Sequence, residues 1–178
     1  MRMTRLVSSP RLAGVAEALV GLEVPPVVLG DYEKEELELR AFTVALPVVL
    51  YFYPGSPSSP AEASVELMDS AQHGAFRDHR QDLEARGYRA IGVSSQSISA
   101  QRLSTLRNHL PHRLLNDPTL ELAHALNLPT FTVAGREWYE RLTLLVRGGR
   151  IEKAFFPVVS PVRNAAQVVV WMTLHGTD

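Results

Sequence analysis

The stretch Pro47-Val48-Val49-Leu50-Tyr51-Phe52-Tyr53 is continuous in apolar, β-branched and aromatic residues, and it narrows the choice of fold more than any other part of the chain. A strand with one face in water alternates polar with apolar residues. A run without that alternation belongs to a strand covered on both faces, at the centre of a sheet with helices on either side. The longest apolar run, Val44 to Phe52, is far too short to cross a bilayer, so a buried strand is the reading that fits its length. Directly after it, Pro54-Gly55-Ser56-Pro57-Ser58-Ser59-Pro60 is dense in turn formers and carries the chain off the strand's end.

Around this strand the remaining pattern predicts a mixture of helices and strands. Residues Arg11 to Leu22 suit a short amphipathic helix, and Val24 to Leu29 is extended because each of Pro25 and Pro26 biases its predecessor away from the helical region. A piece around Leu37 to Leu39 pairs back on it as a hairpin. Helical signal resumes near Asp69 and runs to about Arg86, where Gly87 stops it. Tyr88 to Ser94 reads as a strand, Ser99 to His109 as a helix, and Leu120 to Leu126 as a shorter helix after the Asn116-Asp117-Pro118 turn. Leu142 to Val146 and Ile151 to Phe156 are strands joined by Arg147-Gly148-Gly149-Arg150, whose glycines accept the positive φ of a tight hairpin. Ser160 and Pro161 then open a last helix with Val162, Ala166, Val169 and Met172 on one face and Gly176 at its end. A βαβ unit followed by an antiparallel hairpin and a closing helix differs from a doubly wound nucleotide fold, which would continue as βαβ to the end. The expectation is an α/β domain of thioredoxin-like topology, a central mixed sheet flanked by helices. One domain spans 1–178, with residues 1–21 as an N-terminal arm and 22–178 as the core.

The totals remove several function classes. A net charge of −1 supplies no field for nucleic acid or an anionic membrane. The N-terminal residues carry charge but no apolar segment of signal-peptide length, which points to the cytoplasm. No cysteine is present, which removes disulfides, thiolate metal sites and cysteine nucleophiles together.

Six segments occur in the order that peroxiredoxins show them: Val48 to Pro54, Ala75-Phe76-Arg77-Asp78-His79, Ile91-Gly92-Val93-Ser94, Leu115-Asn116-Asp117-Pro118, Leu128-Pro129-Thr130-Phe131 and Glu140-Arg141-Leu142-Thr143-Leu144. The chain resembles the bacterioferritin-comigratory or Q-type branch of the alkyl hydroperoxide reductase family over roughly Pro47 to Trp171. That resemblance implies a peroxiredoxin-type thioredoxin fold. It also implies a peroxidatic cysteine on the first turn of a helix shortly before Phe-Arg-Asp, and a resolving cysteine five residues later. Anchored on Phe76-Arg77-Asp78, the family pattern puts Asp69 at the peroxidatic position and Gly74 at the resolving one. Anchored instead on Pro54, it gives Ser58 and Ala61. We favour Asp69, because a proline-rich insertion fits more easily before the helix than within it. In neither register is there a thiol.

Peroxide reduction of this kind needs an atom that takes up oxygen and is reversibly reduced, which sulfur does through a sulfenic acid and a carboxylate does not. Asp69 still supplies a negative charge where the thiolate would stand, at an expected helix N-terminus that favours anions. Arg141 resembles the family's active-site arginine, so an Asp69–Arg141 ion pair is expected to fill the pocket. Pro54, Ser58, Gln72, His73 and Gly74 are the remaining pocket candidates. Asp69 has a plain structural reading beside this one, since Asp69-x-x-Gln72 is close to a capping box, and for Arg141 the plain reading is a strand-end salt bridge. His109 and His112 are three apart, but Pro111 interrupts the helix that would align them, and no metal or other cofactor is expected. Trp138 and Tyr139 read either as an exposed pair at a dimer interface or as packing under the hairpin. The resulting functional expectation is a peroxiredoxin-like protein without thiol peroxidase activity, acting as a binding, regulatory or structural homodimer. Its expected partner is a small anionic ligand or another protein, with no nucleic acid and no membrane. The alternative is a family oxidoreductase with residual or non-thiol hydroperoxide chemistry.

Overall fold

The unbroken apolar run becomes strand β3, Val48–Phe52, and every one of its residues is buried. Alternation explains why the run has no polar members: Val48, Leu50 and Phe52 enter the core on one side of the sheet, while Val49, Tyr51 and Tyr53 enter the core on the other. The computed structural model describes residues 14–55 and 63–176. Three strands run parallel: β3, then β4 (Arg89–Ser94) and β5 (Leu114–Asn116). On the far side of β3, strands β8 (Leu142–Arg147) and β9 (Arg150–Phe155) form the antiparallel hairpin expected around Gly148-Gly149. Beyond β5, strands β1 (Val28–Gly30) and β2 (Glu36–Glu38) form the hairpin expected near Leu37. The seven-stranded mixed sheet has the order β2-β1-β5-β4-β3-β8-β9. Residues 21–24 lie along the first half of β9, with Gly21 N–H donating to the Ile151 carbonyl at 2.8 Å and Val24 N–H to that of Gly149 at 2.9 Å.

Helices cover both faces. On the side of Val48, Leu50 and Phe52 lie α1 (Val15–Leu19), α2 (Leu39–Ala45) and α6 (Glu121–Leu126). Helix α1 falls within the helix expected over Arg11 to Leu22, whose residues 11–13 lie outside the described residues. On the side of Val49 and Tyr51 lie α3 (Ala63–Asp78), α4 (Arg80–Glu84) and α7 (Asn164–His175). Helix α5 (Ile98–Arg107), N-capped by the Ser97 hydroxyl, connects β4 to β5. The sequence pattern did not reveal α2, β5 or the separate small hairpin of β6 (Thr130–Val133) and β7 (Arg136–Tyr139).

Three expectations need correction. The helix expected from Asp69 already includes Ala63 among the described residues, because residues 63–68 contain no breaker, and it divides at His79 into α3 and α4. The last helix opens with a 3-10 turn, Pro161–Arg163, which rotates its buried face to Ala165, Val168 and Met172 and leaves Val162 exposed. Trp138 and Tyr139 are both buried, so they are packing under the hairpin and present no interface. The Tyr139 hydroxyl donates to the Asp117 carboxylate at 2.5 Å, and the same carboxylate accepts the Glu121 and Leu122 N–H groups at the start of α6.

Gly92 of β4 is the point where backbone and rings come closest. A Cβ there would stand 2.5 Å from Leu114 Cδ2 and 2.8 Å from Tyr51 Cζ. Tyr51 has no room to yield, because its ring stacks on Phe76 at 4.4 Å. Gly92→Ala is therefore expected to lower unfolding free energy by about 1–3 kcal/mol, the usual cost of overpacking, read from the urea midpoint at unchanged slope.

Candidate functional site

The site sits where α3 crosses the end of β3 and faces the start of β8. Arg141 immediately precedes β8, and its Nη2 lies 2.6 Å from Asp69 Oδ1. The side chains are only 11% and 7% exposed, so this is a buried ion pair. The other guanidinium nitrogen, Nη1, donates to Gln72 Oε1 at 3.0 Å. Gln72 Nε2 donates to Asn164 Oδ1 at 3.1 Å, and the Thr143 hydroxyl donates to the same oxygen at 2.7 Å. Helix α3, strand β8 and helix α7 are thus tied at one point by a chain of polar groups, in which Asn164 Oδ1 accepts twice while its buried Nδ2 has no partner among the described residues.

Asp69 is not at a helix N-terminus. It lies six residues beyond Ala63, in the interior of α3, so neither a capping box nor the helix dipole holds its charge. The countercharge is Arg141. Pro54 is buried directly after β3, and Gly55 follows at φ +77 with its backbone against Gln96. Ser58 and Ala61, the positions of the other register, lie outside the described residues. Beside Asp69 is a recess of about 170 Å³ lined, among the described residues, by Ser70, Gln96, Arg107 and Asn108. Pockets that take organic ligands run to about 300–1,000 Å³, so this recess suits a few waters or a small ion. Gly74 is half-buried, and an added Cβ there would make ordinary contact with Arg77 Nη2 at 3.5 Å.

A second polar group lies next to the first and centres on residues whose roles the sequence did not disclose. The Tyr51 hydroxyl is 2.8 Å from His73 Nδ1 and 2.8 Å from His112 Nε2. One hydroxyl carries one proton, so Tyr51 donates to one imidazole and accepts from the other. His73 is fully buried, edge-on to Tyr53 at 4.5 Å. Burial, with His112 and Arg141 adding to it, pushes the His73 pKa down to about 3. Burial, then the charges of Arg80 and Arg77, pushes that of His112 down to about 4. Burial above all raises Tyr51 and Tyr53 above the ordinary phenol range. All four are neutral at physiological pH. Of the expected pocket residues, the structure brings Asp69, Arg141 and Gln72 together and puts His73 in the adjoining tyrosine–histidine group. Asn164, Thr143, Tyr51 and His112 were not foreseen there. Two tyrosines at i and i+2 in an apolar strand were the available signal, since both hydroxyls emerge on one face and need partners there.

With this geometry in view, comparison with known proteins is decisive for the family. Residues 20–149 match the AhpC/TSA family. The chain belongs to that family, and it is a peroxiredoxin homologue that lacks cysteine. It is 29% identical over 107 residues to peroxiredoxin bcp1 of Schizosaccharomyces pombe, a match covering 60% of this chain and 51% of the relative, so it spans about half the length of that protein. Among solved structures it resembles peroxidoxin BcpB of Mycobacterium tuberculosis, with a TM-score of 0.74 at 18% identity over 89% of this chain and 98% of the other. It also resembles a cysteine-to-serine mutant of Xylella fastidiosa PrxQ, with a TM-score of 0.73 at 21% identity over 89% and 97% of the two chains. These likenesses show the peroxiredoxin-type thioredoxin fold.

Two outcomes follow from the site. Removing one partner of a buried pair strands a charge, so Arg141→Met is expected to cost about 3 kcal/mol or more; the double variant Asp69→Leu/Arg141→Met should recover most of it, as a double-mutant cycle in urea would show. Both histidines have folded pKa values below the ordinary 6.5, so between those values and 6.5 the unfolded chain binds more protons than the native one. Stability should therefore be complete above that window and fall as pH drops through it, by about 1.4 kcal/mol per pH unit for each histidine. His112→Gln should roughly halve the slope in a series of urea denaturations.

Proposed function

We propose that this protein is a cytoplasmic peroxiredoxin-fold homodimer that does not reduce hydroperoxides and works as a structural or regulatory subunit. The observation that carries this reading is the buried Asp69–Arg141 pair in a chain with no cysteine. Cleaving a peroxide O–O bond in the family's manner transfers oxygen to sulfur and later returns it as water through a thiol reductant. Asp69 has no valence to accept that oxygen, and its partner Arg141 is taken up by the carboxylate and by Gln72.

Support for self-association comes from the surface beside β9. Phe155, Phe156, Val158, Val170, Trp171 and Leu174 line an open groove of about 890 Å³. Next to it Val159 is 88% exposed and Val162 63%, an apolar density that monomers rarely leave in water. A second copy related by a two-fold axis sets the exposed side of α7 into the same groove on its partner, so one patch serves both chains. Among the described residues no helix is long and apolar enough to cross a membrane.

Purified protein supplied with hydrogen peroxide and dithiothreitol is expected to consume peroxide no faster than a heat-denatured control; sustained, reductant-dependent turnover in metal-free material overturns the reading. Sedimentation equilibrium should give twice the chain mass. Val170→Asp/Leu174→Asp should give the single mass with an unchanged circular dichroism spectrum.

A further inference from the structure

A second concentration of positive charge lies at the opposite end of the sheet from the Asp69–Arg141 pair. There α2, α4, the start of β4 and the turn before β5 enclose a cavity of about 730 Å³, within the range of cavities that hold small organic ligands, about 300–1,000 Å³. Its walls are of two kinds. Phe42 of α2 and Leu46 just after it, with Ile91 of β4, supply an apolar side, and Arg80, Arg89 and Arg113 supply a cationic one, beside the neutral ring of His112. Among the described residues Glu84 is the only acidic one in the lining, and it is bonded to Arg80 at 2.6 Å. Arg113 is bonded to Asp31 at 2.8 Å. Arg89 has no ion pair among the described residues. His112 Nδ1 is buried and has no hydrogen-bond partner among them either, although its Nε2 is engaged by Tyr51. A cavity with an uncompensated guanidinium and an apolar wall is complementary to a molecule with a negative head and an apolar body, and the buried His112 ring lies within its electrostatic reach.

We propose that this cavity binds an amphiphilic organic anion, a carboxylate on a short hydrocarbon body, with Arg89 as its counterion and His112 as the group that senses it. The sensing follows from the hydrogen-bond count at Tyr51. His112 is faced by the charges of Arg77 and Arg80 and, in the cavity lining, by Arg89 and Arg113, while His73 stands across Tyr51; this cationic setting and its burial keep its ring neutral. A bound carboxylate offsets those cations and favours the imidazolium. An imidazolium donates from both nitrogens. Its Nε2–H then points at the Tyr51 oxygen, so the Tyr51 hydroxyl donates to His73 Nδ1 and the His73 proton is fixed on Nε2. Occupancy of the cavity thereby sets the tautomer of a ring one helical turn from Asp69, with no movement of backbone. The pair at Asp69 and the cavity at Arg89 are separate in composition, so failure of one reading leaves the other standing.

The test is a titration of the full chain with octanoate, octanol and inorganic phosphate, followed by calorimetry and by nitrogen-15 spectra of the histidine rings. Octanoate is expected to bind at least about tenfold more tightly than either control, because only it has both head and body. Arg89→Gln, an exposed side chain whose loss leaves the core intact, should weaken octanoate about tenfold and leave stability unchanged. The His112 pKa should rise on binding, and the His73 signal should move to the Nε2–H form in wild type but not in Tyr51→Phe. Octanol or phosphate binding as tightly as octanoate, an Arg89→Gln affinity equal to wild type, an unmoved His112 pKa, or no binding at all would each overturn the proposal.

Discussion

Everything in this fold is hung on the two-sidedness of β3. Six successive side chains from Val48 to Tyr53 are withdrawn from water, three to each face, and each large one contributes on the order of 2 kcal/mol of burial. Neither face can be left open, so helices must cover both, and the connections that bring α3 and α7 across one side decide where polar groups meet. Tyr51 and Tyr53 place hydroxyls in that interior. The Tyr51 hydroxyl accounts for His73 and His112, since a buried phenol without a partner is expensive, and the Tyr51 ring accounts for the bare backbone of Gly92 beneath it.

A buried carboxylate in a helix interior depends on what the surrounding protein supplies. A thiolate at the first turn of a helix is stabilised by free N–H groups that the helix provides in any case. Asp69 stands in the helix interior, where every N–H is already used by the helix itself. The charge is compensated instead by Arg141, whose Nη1 donates to Gln72, which donates in turn to Asn164, an acceptor shared with Thr143. Arg141 is one link in a polar chain that joins three elements. In a medium of low polarity such a set is stable only while its charges stay paired, and the recess beside it is about 170 Å³.

Much of this was legible in the sequence, and the failures have particular causes. The core strand, the Gly148-Gly149 hairpin and the meeting of Asp69 with Arg141 could be read because period, turn chemistry and family order agreed on them. The start of α3 could not be: the anchor Phe76-Arg77-Asp78 fixes the register of Asp69 but says nothing about how far helix continues before it. Residues 63–68 extend it simply because nothing there breaks it. Asn164 was invisible, since with Ser160 and Pro161 opening the helix it was one more polar residue of the first turn, and only the packing of α7 against α3 turns it inward. His112 was weighed only as a metal ligand beside His109; its true neighbour is 61 positions away in sequence.

The borders of the sheet carry a last implication. On one side β2 is three residues long, with Glu36 and Glu38 flanking a single leucine. On the other, residues 21–24 already take up the hydrogen-bonding groups at the beginning of β9. A charged stub and a half-occupied rim are poor templates for further strands. Addition of a further strand is thereby disfavoured at β2 and at the beginning of β9, so that the sheet's own borders work against stacking chain upon chain.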